Sequence, residues 1–229
     1  MENNIITSTE ETYLSLLYEN QYEKNIETTT NFLAQQTQTK APTVTEMLKK
    51  LQKKNVVIYK PYKGVLLSEK GKKIALQIIR NKRLWNTYLV AELHFSWEDI
   101  LSISEQTKHI KSDELINKID KIVNYPKQDP FGDSIPNASG HILPNNLFLL
   151  SEAKPNDKCR ISGIKNKSVE YIEKLKKYKI LPFTTIKVIH KEISDSSLKI
   201  EFNNQQIFLP KEIVSNLLVN KTTFVFKLF

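Results

Sequence analysis

The spacing of apolar residues changes character between Pro42 and Leu93, and that change limits the folds open to the chain. Val44, Met47, Leu48 and Leu51 recur at helical intervals, which predicts a helix from Pro42 to Lys54 with one buried face. Pro42 suits the opening of that helix, where a missing N–H costs no hydrogen bond. Val56-Val57-Ile58-Tyr59 and Val65-Leu66-Leu67 then flank Lys60-Pro61-Tyr62-Lys63-Gly64, which reads as two short strands joined by a turn. Ser68 is placed to cap a longer helix that continues to about Leu93 through Ile74, Ile78, Leu84, Tyr88 and Leu89. Upstream, Tyr13, Leu16 and Leu17 predict a helix over Thr9 to Asn20, with Glu10 and Glu11 suiting its positive start. Thr28 to Gln36 reads as another helix, with Phe32 and Leu33 inward and a polar turn from Thr37 to Ala41. The order predicts a helix-turn-helix followed by a hairpin wing.

Charge is concentrated on the same stretch. Lys40 to Arg83 carries thirteen basic residues against Glu46 and Glu69, and the whole chain has 34 basic and 25 acidic residues, leaving 21 against 23 elsewhere. Clustered charge builds a local field and points to a polyanionic partner; the plainer reading is a solvated lysine-rich face. At 229 residues the chain has room for one large domain or two to three small ones. No run of about 18 apolar residues is present and the first residues are polar and acidic, so a cytoplasmic protein without membrane association is expected. A lone cysteine, Cys159, excludes an internal disulfide and a multi-thiolate zinc site. Five glycines, none in phosphate-loop or dinucleotide spacing, argue against a nucleotide-dependent enzyme, and no small-molecule substrate is evident. No nucleophile with a base at recognisable spacing is present either, so the chain is not expected to be an enzyme.

Beyond the wing, Ser96 with Asp99 forms a capping signature opening a helix from Trp97 to about His109, and Ser112 opens another that ends before Pro126. After Asp129-Pro130-Phe131-Gly132-Asp133-Ser134-Ile135-Pro136, turn residues run to Asn146. Leu147 to Ile164, Thr184 to His190, Leu198 to Phe202 and Gln206 to Leu209 then read as short strands, with Ser168 to Lys177 as a helix and Asn203-Asn204 as a hairpin turn. Phe224, Phe226, Leu228 and Phe229 alternate at the end, as a last strand or a partner contact. The class is α+β: an N-terminal winged helix-turn-helix (1–70), a helical dimerisation segment (71–137), a linker (138–146) and a C-terminal small β-barrel (147–229).

Glu11-Thr12-Tyr13-Leu14, Pro42-Thr43-Val44-Thr45, Leu67-Ser68-Glu69-Lys70-Gly71, Ser112-Asp113-Glu114 and the Pro126 to Pro136 stretch together resemble the DtxR/MntR family of metal-responsive transcription regulators, in the family's order. Residues from about Leu147 to Val219, including Ile180-Leu181-Pro182-Phe183, resemble the SH3-like FeoA-type domain that some of these regulators carry. The resemblance implies a homodimer that reads a near-palindromic duplex operator.

A helix entering the major groove presents its first residues to base edges while lysines meet phosphates. Thr43, Thr45 and Glu46 are the base-facing candidates, because a Thr methyl packs on thymine and Glu accepts from a cytosine amino group. Pro42 opens the helix, and Lys49, Lys50, Lys53, Lys60 and Lys63 are the phosphate candidates. The resemblance places the family's metal-ligand positions at Thr12, Ser15, Lys82, Glu105, Lys108 and His109, with Asn86 as a further accessory position. Of these only Glu105 and His109 ligate readily; four residues apart on one predicted helix, they share a face, which is also a common surface arrangement. Lys82 and Lys108 place ammonium groups where a dication would sit, and a contact between a lysine and Glu105 would bridge helices as the ion does; drift to solvent-facing lysines is the plain alternative.

The leading expectation is a DNA-binding regulator, a repressor by family, with a degenerate metal site and no cofactor. The first alternative is a Mn2+- or Fe2+-dependent repressor of metal-homeostasis genes drawing ligands from elsewhere, such as His94, Glu92 or a carboxylate of the last domain. The second is a non-specific nucleic-acid or protein-interaction module, marked by salt-sensitive binding without sequence preference.

Overall fold

The computed structural model describes residues 5–60, 64–192 and 194–222. The chain divides into two compact units: Met1–Asn81 with Lys108–Lys111 and Pro136–His141, and Lys82–Thr107 with Ser112–Ile135 and Ile142–Phe229.

In the first unit, helix α1 (Ser8–Tyr18) opens with a capping box. Glu10 N–H donates to Thr7 Oγ1 at 3.3 Å and Thr7 N–H to Glu10 Oε2 at 2.8 Å, satisfying two donors that have no partner within the helix. A π-helical turn, Glu19–Glu23, follows and makes Gln21 a clamp on the wing. Gln21 Nε2 donates to Val65 O at 2.7 Å, and Leu67 N–H donates to Gln21 Oε1 at 3.2 Å. Helix α2 (Thr30–Gln36) is capped by Thr29, and α3 (Ala41–Lys53) buries Val44, Leu48 and Leu51. Strands β1 (Val57–Tyr59) and β2 (Val65–Leu67) pair antiparallel, Val57 opposite Leu67 and Tyr59 opposite Val65. Tyr13, Leu14, Leu17, Leu33, Val44, Leu48, Leu51, Val56, Val65 and Ile79 share one core. A winged helix-turn-helix therefore forms where the apolar spacing predicted it. The wing tip residues Pro61, Tyr62 and Lys63 fall outside the described residues.

Ser68 accepts Gly71 N–H at 3.0 Å and starts α4 (Glu69–Ala91). In the second unit, α5 (Trp97–Thr107) is opened by a reciprocal Ser96 and Asp99 pair, and α6 (Asp113–Ile122) by Ser112. The strands are β3 (Phe148–Leu149), β4 (Lys158–Ile164), β5 (Thr185–Lys191), β6 (Leu198–Phe202), β7 (Gln205–Leu209) and β8 (Leu217–Lys221), with helices α7 (Val169–Lys177) and α8 (Lys211–Val214) between them. Their order in the sheet is β3-β8-β4-β5-β6-β7, with every neighbour antiparallel. The expected barrel is corrected to an open sheet: β3 pairs only with β8 and β7 only with β6, so the two edges do not meet.

Asn203 and Asn204 both adopt left-handed φ, 48° and 58°, and join β6 to β7 in a two-residue turn. The sheet's buried side chains, among them Ile161, Ile186, Val188, Ile200 and Val219, share a core with Leu89 and Val90 of α4 and Trp97 and Ile100 of α5. Trp97 Nε1 donates to Pro130 O at 2.7 Å, fixing the loop that leads to the sheet. Strand β8 and helix α8 went unread in the sequence. Phe224, Phe226, Leu228 and Phe229 lie outside the described residues.

Candidate nucleic-acid interface and cation cluster

Burial of Val44, Leu48 and Leu51 turns the opposite face of α3 outward. Pro42, Thr43, Glu46, Lys49, Lys50 and Lys53 are exposed there, and Lys60 is exposed after β1. Thr45 is half-buried, its hydroxyl donating to Ala41 O at 3.1 Å, so its methyl is the part left for contact. Glu46 accepts from Lys49 at 2.9 Å, one turn along the exposed face. An open groove of about 670 Å³ lies beside this helix, lined by Thr29, Thr30, Asn31, Thr45, Lys49 and neighbouring residues. Lys63 falls outside the described residues.

Sequence reasoning missed the two buried carboxylates of α1. Glu10 has no exposed side-chain surface, yet Lys54 Nζ lies 2.8 Å and Lys50 Nζ 3.2 Å from its oxygens. Burial pushes its carboxyl up, but Lys54, the Thr7 N–H and Lys50 outweigh that and hold it below the ordinary range. Glu11, also buried, has a nitrogen partner on each oxygen: His109 Nδ1 is 2.5 Å from Oε2 and Lys111 Nζ 2.7 Å from Oε1. Lys111 also donates to Ile6 O at 2.8 Å, anchoring the entry to α1. The available signal was the acidic pair at the helix opening, which local reasoning assigned to the helix dipole.

The positions inferred from the family resemblance divide between the two units: Thr12, Ser15, Lys108 and His109 fall in the first, and Lys82, Asn86 and Glu105 in the second. Thr12 and Ser15 spend their hydroxyls on their own helix, donating to Ser8 O at 3.2 Å and Thr12 O at 3.0 Å. Glu105 accepts from Lys82 at 2.7 Å, an ion pair joining α4 and α5. Lys108 is buried in the turn after α5. Asn86, also buried, donates to Asp129 Oδ2 at 3.1 Å. The expectation that Glu105 and His109 share one helical face is corrected: α5 ends at Thr107, whose hydroxyl turns back to Ser104 O at 3.2 Å, and residues 108 and 109 form a turn. Glu105 belongs to the second unit and His109 to the first. Among the described residues no group of three or more His, Cys, Asp and Glu is gathered that could hold a metal ion. His94, in left-handed backbone, and Glu92 are exposed beyond α4. No helix among the described residues is long and apolar enough to cross a membrane.

A winged helix-turn-helix with a basic outward helix, a helical segment and a small antiparallel sheet define a winged-helix class of chain, and comparison with known proteins makes the class specific. The model for the iron-dependent repressor N-terminal DNA-binding domain matches residues 5–65, that for the iron-dependent repressor metal-binding and dimerisation domain residues 68–137, and the FeoA domain residues 148–221. The chain belongs to the iron-dependent repressor family, the DtxR/MntR group. Iron-dependent repressor IdeR of Mycobacterium bovis is 25% identical over 133 residues, 58% of this chain and 57% of that protein. The chain thus matches little more than half the length of that relative. The crystal structure of ScaR with bound Zn2+ is 29% identical and covers 93% of this chain and 99% of its own, with a TM-score of 0.59. A manganese-dependent transcriptional repressor in complex with manganese, 23% identical with the same coverage and a TM-score of 0.67, shares the fold.

Proposed function

We propose that the chain is a sequence-specific DNA-binding regulator, a homodimeric repressor, with residues 1–70 reading DNA and residues 71–137 pairing the subunits. The outward face of α3 carries this reading: Thr43 and Glu46 sit at its exposed start, and Lys49, Lys50 and Lys53 lie along it. Lys49 divides its charge between Glu46 and any phosphate and Lys50 between Glu10 and any phosphate, so Lys53 and Lys60 are the stronger phosphate contacts. Residues 147–229 form the FeoA-type module. Cytoplasmic, non-catalytic action follows from the same reading.

Glu11 is held by His109 and Lys111 and Glu105 by Lys82, while Thr12 and Ser15 offer only hydroxyls already bonded to backbone. In either pair an ammonium group beside the carboxylate opposes a divalent ion at that carboxylate by direct repulsion, weakened by solvent screening. These residues do not suit Mn2+ or Fe2+, and control by such an ion would need ligands from other positions. The relatives favour that metal-dependent alternative: IdeR is iron-dependent by name, and ScaR was crystallised with Zn2+.

Binding to a duplex selected from a random pool, measured with a strong chelator and then with added manganese or ferrous iron, tests both statements. Tight specific binding in chelator, with no metal in the same sample, is the expected result; binding that appears only with metal would establish the alternative. In the same assay, Ala at Thr43, Thr45 and Glu46 should abolish discrimination against scrambled duplex, at about 1–3 kcal/mol per base contact. Lys60→Ala should weaken both duplexes alike and lower the salt slope by about 0.9. Equal losses on both duplexes from the α3 substitutions would remove α3 as the reading helix, and salt-sensitive binding without preference would favour the interaction module.

A further inference from the structure

The second unit contains a cavity that the DNA-reading surface does not use. It has a volume of about 280 Å³ and is walled by the end of α4, the loop after α6, and strands β4 and β8. That is slightly below the range of roughly 300–1,000 Å³ common for drug-sized ligands, and so fits a compact metabolite.

Three side chains give the cavity its chemistry. The Arg160 guanidinium of β4 lies over the ring of Phe183, its Cζ 4.5 Å from the centroid, and Lys127 lies on the opposing loop. Neither makes an ion pair with a carboxylate among the described residues. Asn220 of β8 is oriented by Ser162, whose Oγ donates to Asn220 Oδ1 at 2.6 Å, so the amide Nδ2 is left as a donor. Guanidinium, ammonium and amide are all donors, and two of them are positive. Asp129 is the one carboxylate in the lining, and its oxygens already accept from Phe131 N, Asp133 N and Asn86 Nδ2.

The backbone is bent to build this wall. Phe183 has φ +64°, a conformation costly for a bulky side chain, and Asn124 on the facing loop has φ +60°. Phe183 is held there by its N–H donating to Ile161 O at 2.9 Å. Strain of this kind at Phe183 persists where the surrounding structure over-determines it and clusters at ligand sites. Here it places the ring over which the Arg160 guanidinium lies, and a guanidinium offers a fork of donors that suits a planar two-oxygen acceptor.

We infer that this cavity is a binding site for a small oxyanion, a carboxylate or phosphate of metabolite size, held by Arg160, Lys127 and the Asn220 amide. The inference stands apart from the DNA-binding reading, because it concerns occupancy of the cavity alone.

Calorimetric titration of the full chain with citrate and, separately, with inorganic phosphate at fixed ionic strength is the test. Saturable binding of one of them at one site per chain is expected, and which anion saturates distinguishes the carboxylate source from the phosphate source. Arg160→Gln should weaken it about tenfold, the 1.4 kcal/mol scale of a lost charge-assisted contact, and Lys127→Gln should weaken it by a smaller factor. Far-UV circular dichroism identifies a variant that has failed to fold, and the second variant then decides. Absence of saturable binding for both anions, or affinity unchanged in both folded variants, overturns the site.

Discussion

Gly71→Ala is expected to destabilise the winged unit by about 3 kcal/mol or more, at the upper end of what overpacking a close contact costs. Gly71 lies in the first turn of α4, and a Cβ built there would sit 1.9 Å from Val56 O, 2.9 Å from Val56 C and 3.2 Å from the Leu67 side chain. Two of those three atoms are backbone. Val56 O is fixed because it accepts Ser68 N–H at 3.1 Å, and Ser68 is in turn held by its hydroxyl, which donates to Asn55 O at 2.7 Å. Relief would require α4 to move off the start of β1, breaking the contact that seats the wing. Both tryptophans of the chain, Trp85 and Trp97, lie in the second unit, so their emission reports that unit, while far-UV circular dichroism reports both. In a urea titration the variant should show an early loss of helical signal with the tryptophan transition unmoved, and its DNA binding should fall with the first transition. A variant as stable as the parent would mean that α4 meets β1 more loosely than these distances allow.

Gly71 also shows which parts of the fold were readable. It closes Leu67-Ser68-Glu69-Lys70-Gly71, where a strand end, a capping serine and a small residue are consecutive, so the chemistry of the junction is local. The caps at Ser96 and Ser112 are local in the same way, and each forms as its spacing predicts. Contacts made across the chain were not readable. His109 meets Glu11 over 98 residues, and neither partner carries a mark that selects the other from the remaining acids and histidines. Strand β8 was missed because Leu217-Leu218-Val219 is too short to show alternation, although it pairs with both β3 and β4. Openness of the sheet was hidden for a related reason: strand patterns encode inward and outward faces, while closure depends on whether the two edges reach one another. On α3 the buried face was legible, whereas the pull of Glu10 on Lys50 and Lys54 required the packed α1.

Asp129→Asn should stabilise the second unit near neutral pH and remove a fall in its stability between about pH 4 and 6. Burial pushes the Asp129 carboxyl up to about 6, the neighbouring Asp133 charge adds to this, and Arg83, Lys167 and Asn86 offset only part of it. Asp133, closer to the cations, goes the other way: burial raises it, but Lys167 and Arg83 hold it below the ordinary range. The sign follows from proton linkage. A carboxyl that binds its proton more tightly in the folded chain than in the unfolded one adds stability below the unfolded value of 3.8 and loses it as pH rises through about 6. Two pH units correspond to about 3 kcal/mol, the largest change the substitution can recover at pH 7. Asparagine keeps the acceptor oxygen that takes the Phe131 and Asp133 N–H groups at 2.9 and 3.1 Å. Its new N–H2 would face Asn86, whose buried Oδ1 has no hydrogen-bond partner among the described residues and becomes an acceptor once that amide turns over. Tryptophan-detected urea unfolding at pH 4.5, 5.5 and 7 should show parent stability declining across the series from this group, while the variant stays level and exceeds the parent at pH 7. A variant weaker than the parent at pH 7 would show instead that the ionised carboxylate is the form the fold requires, with Arg83 and Lys167 compensating its burial in full.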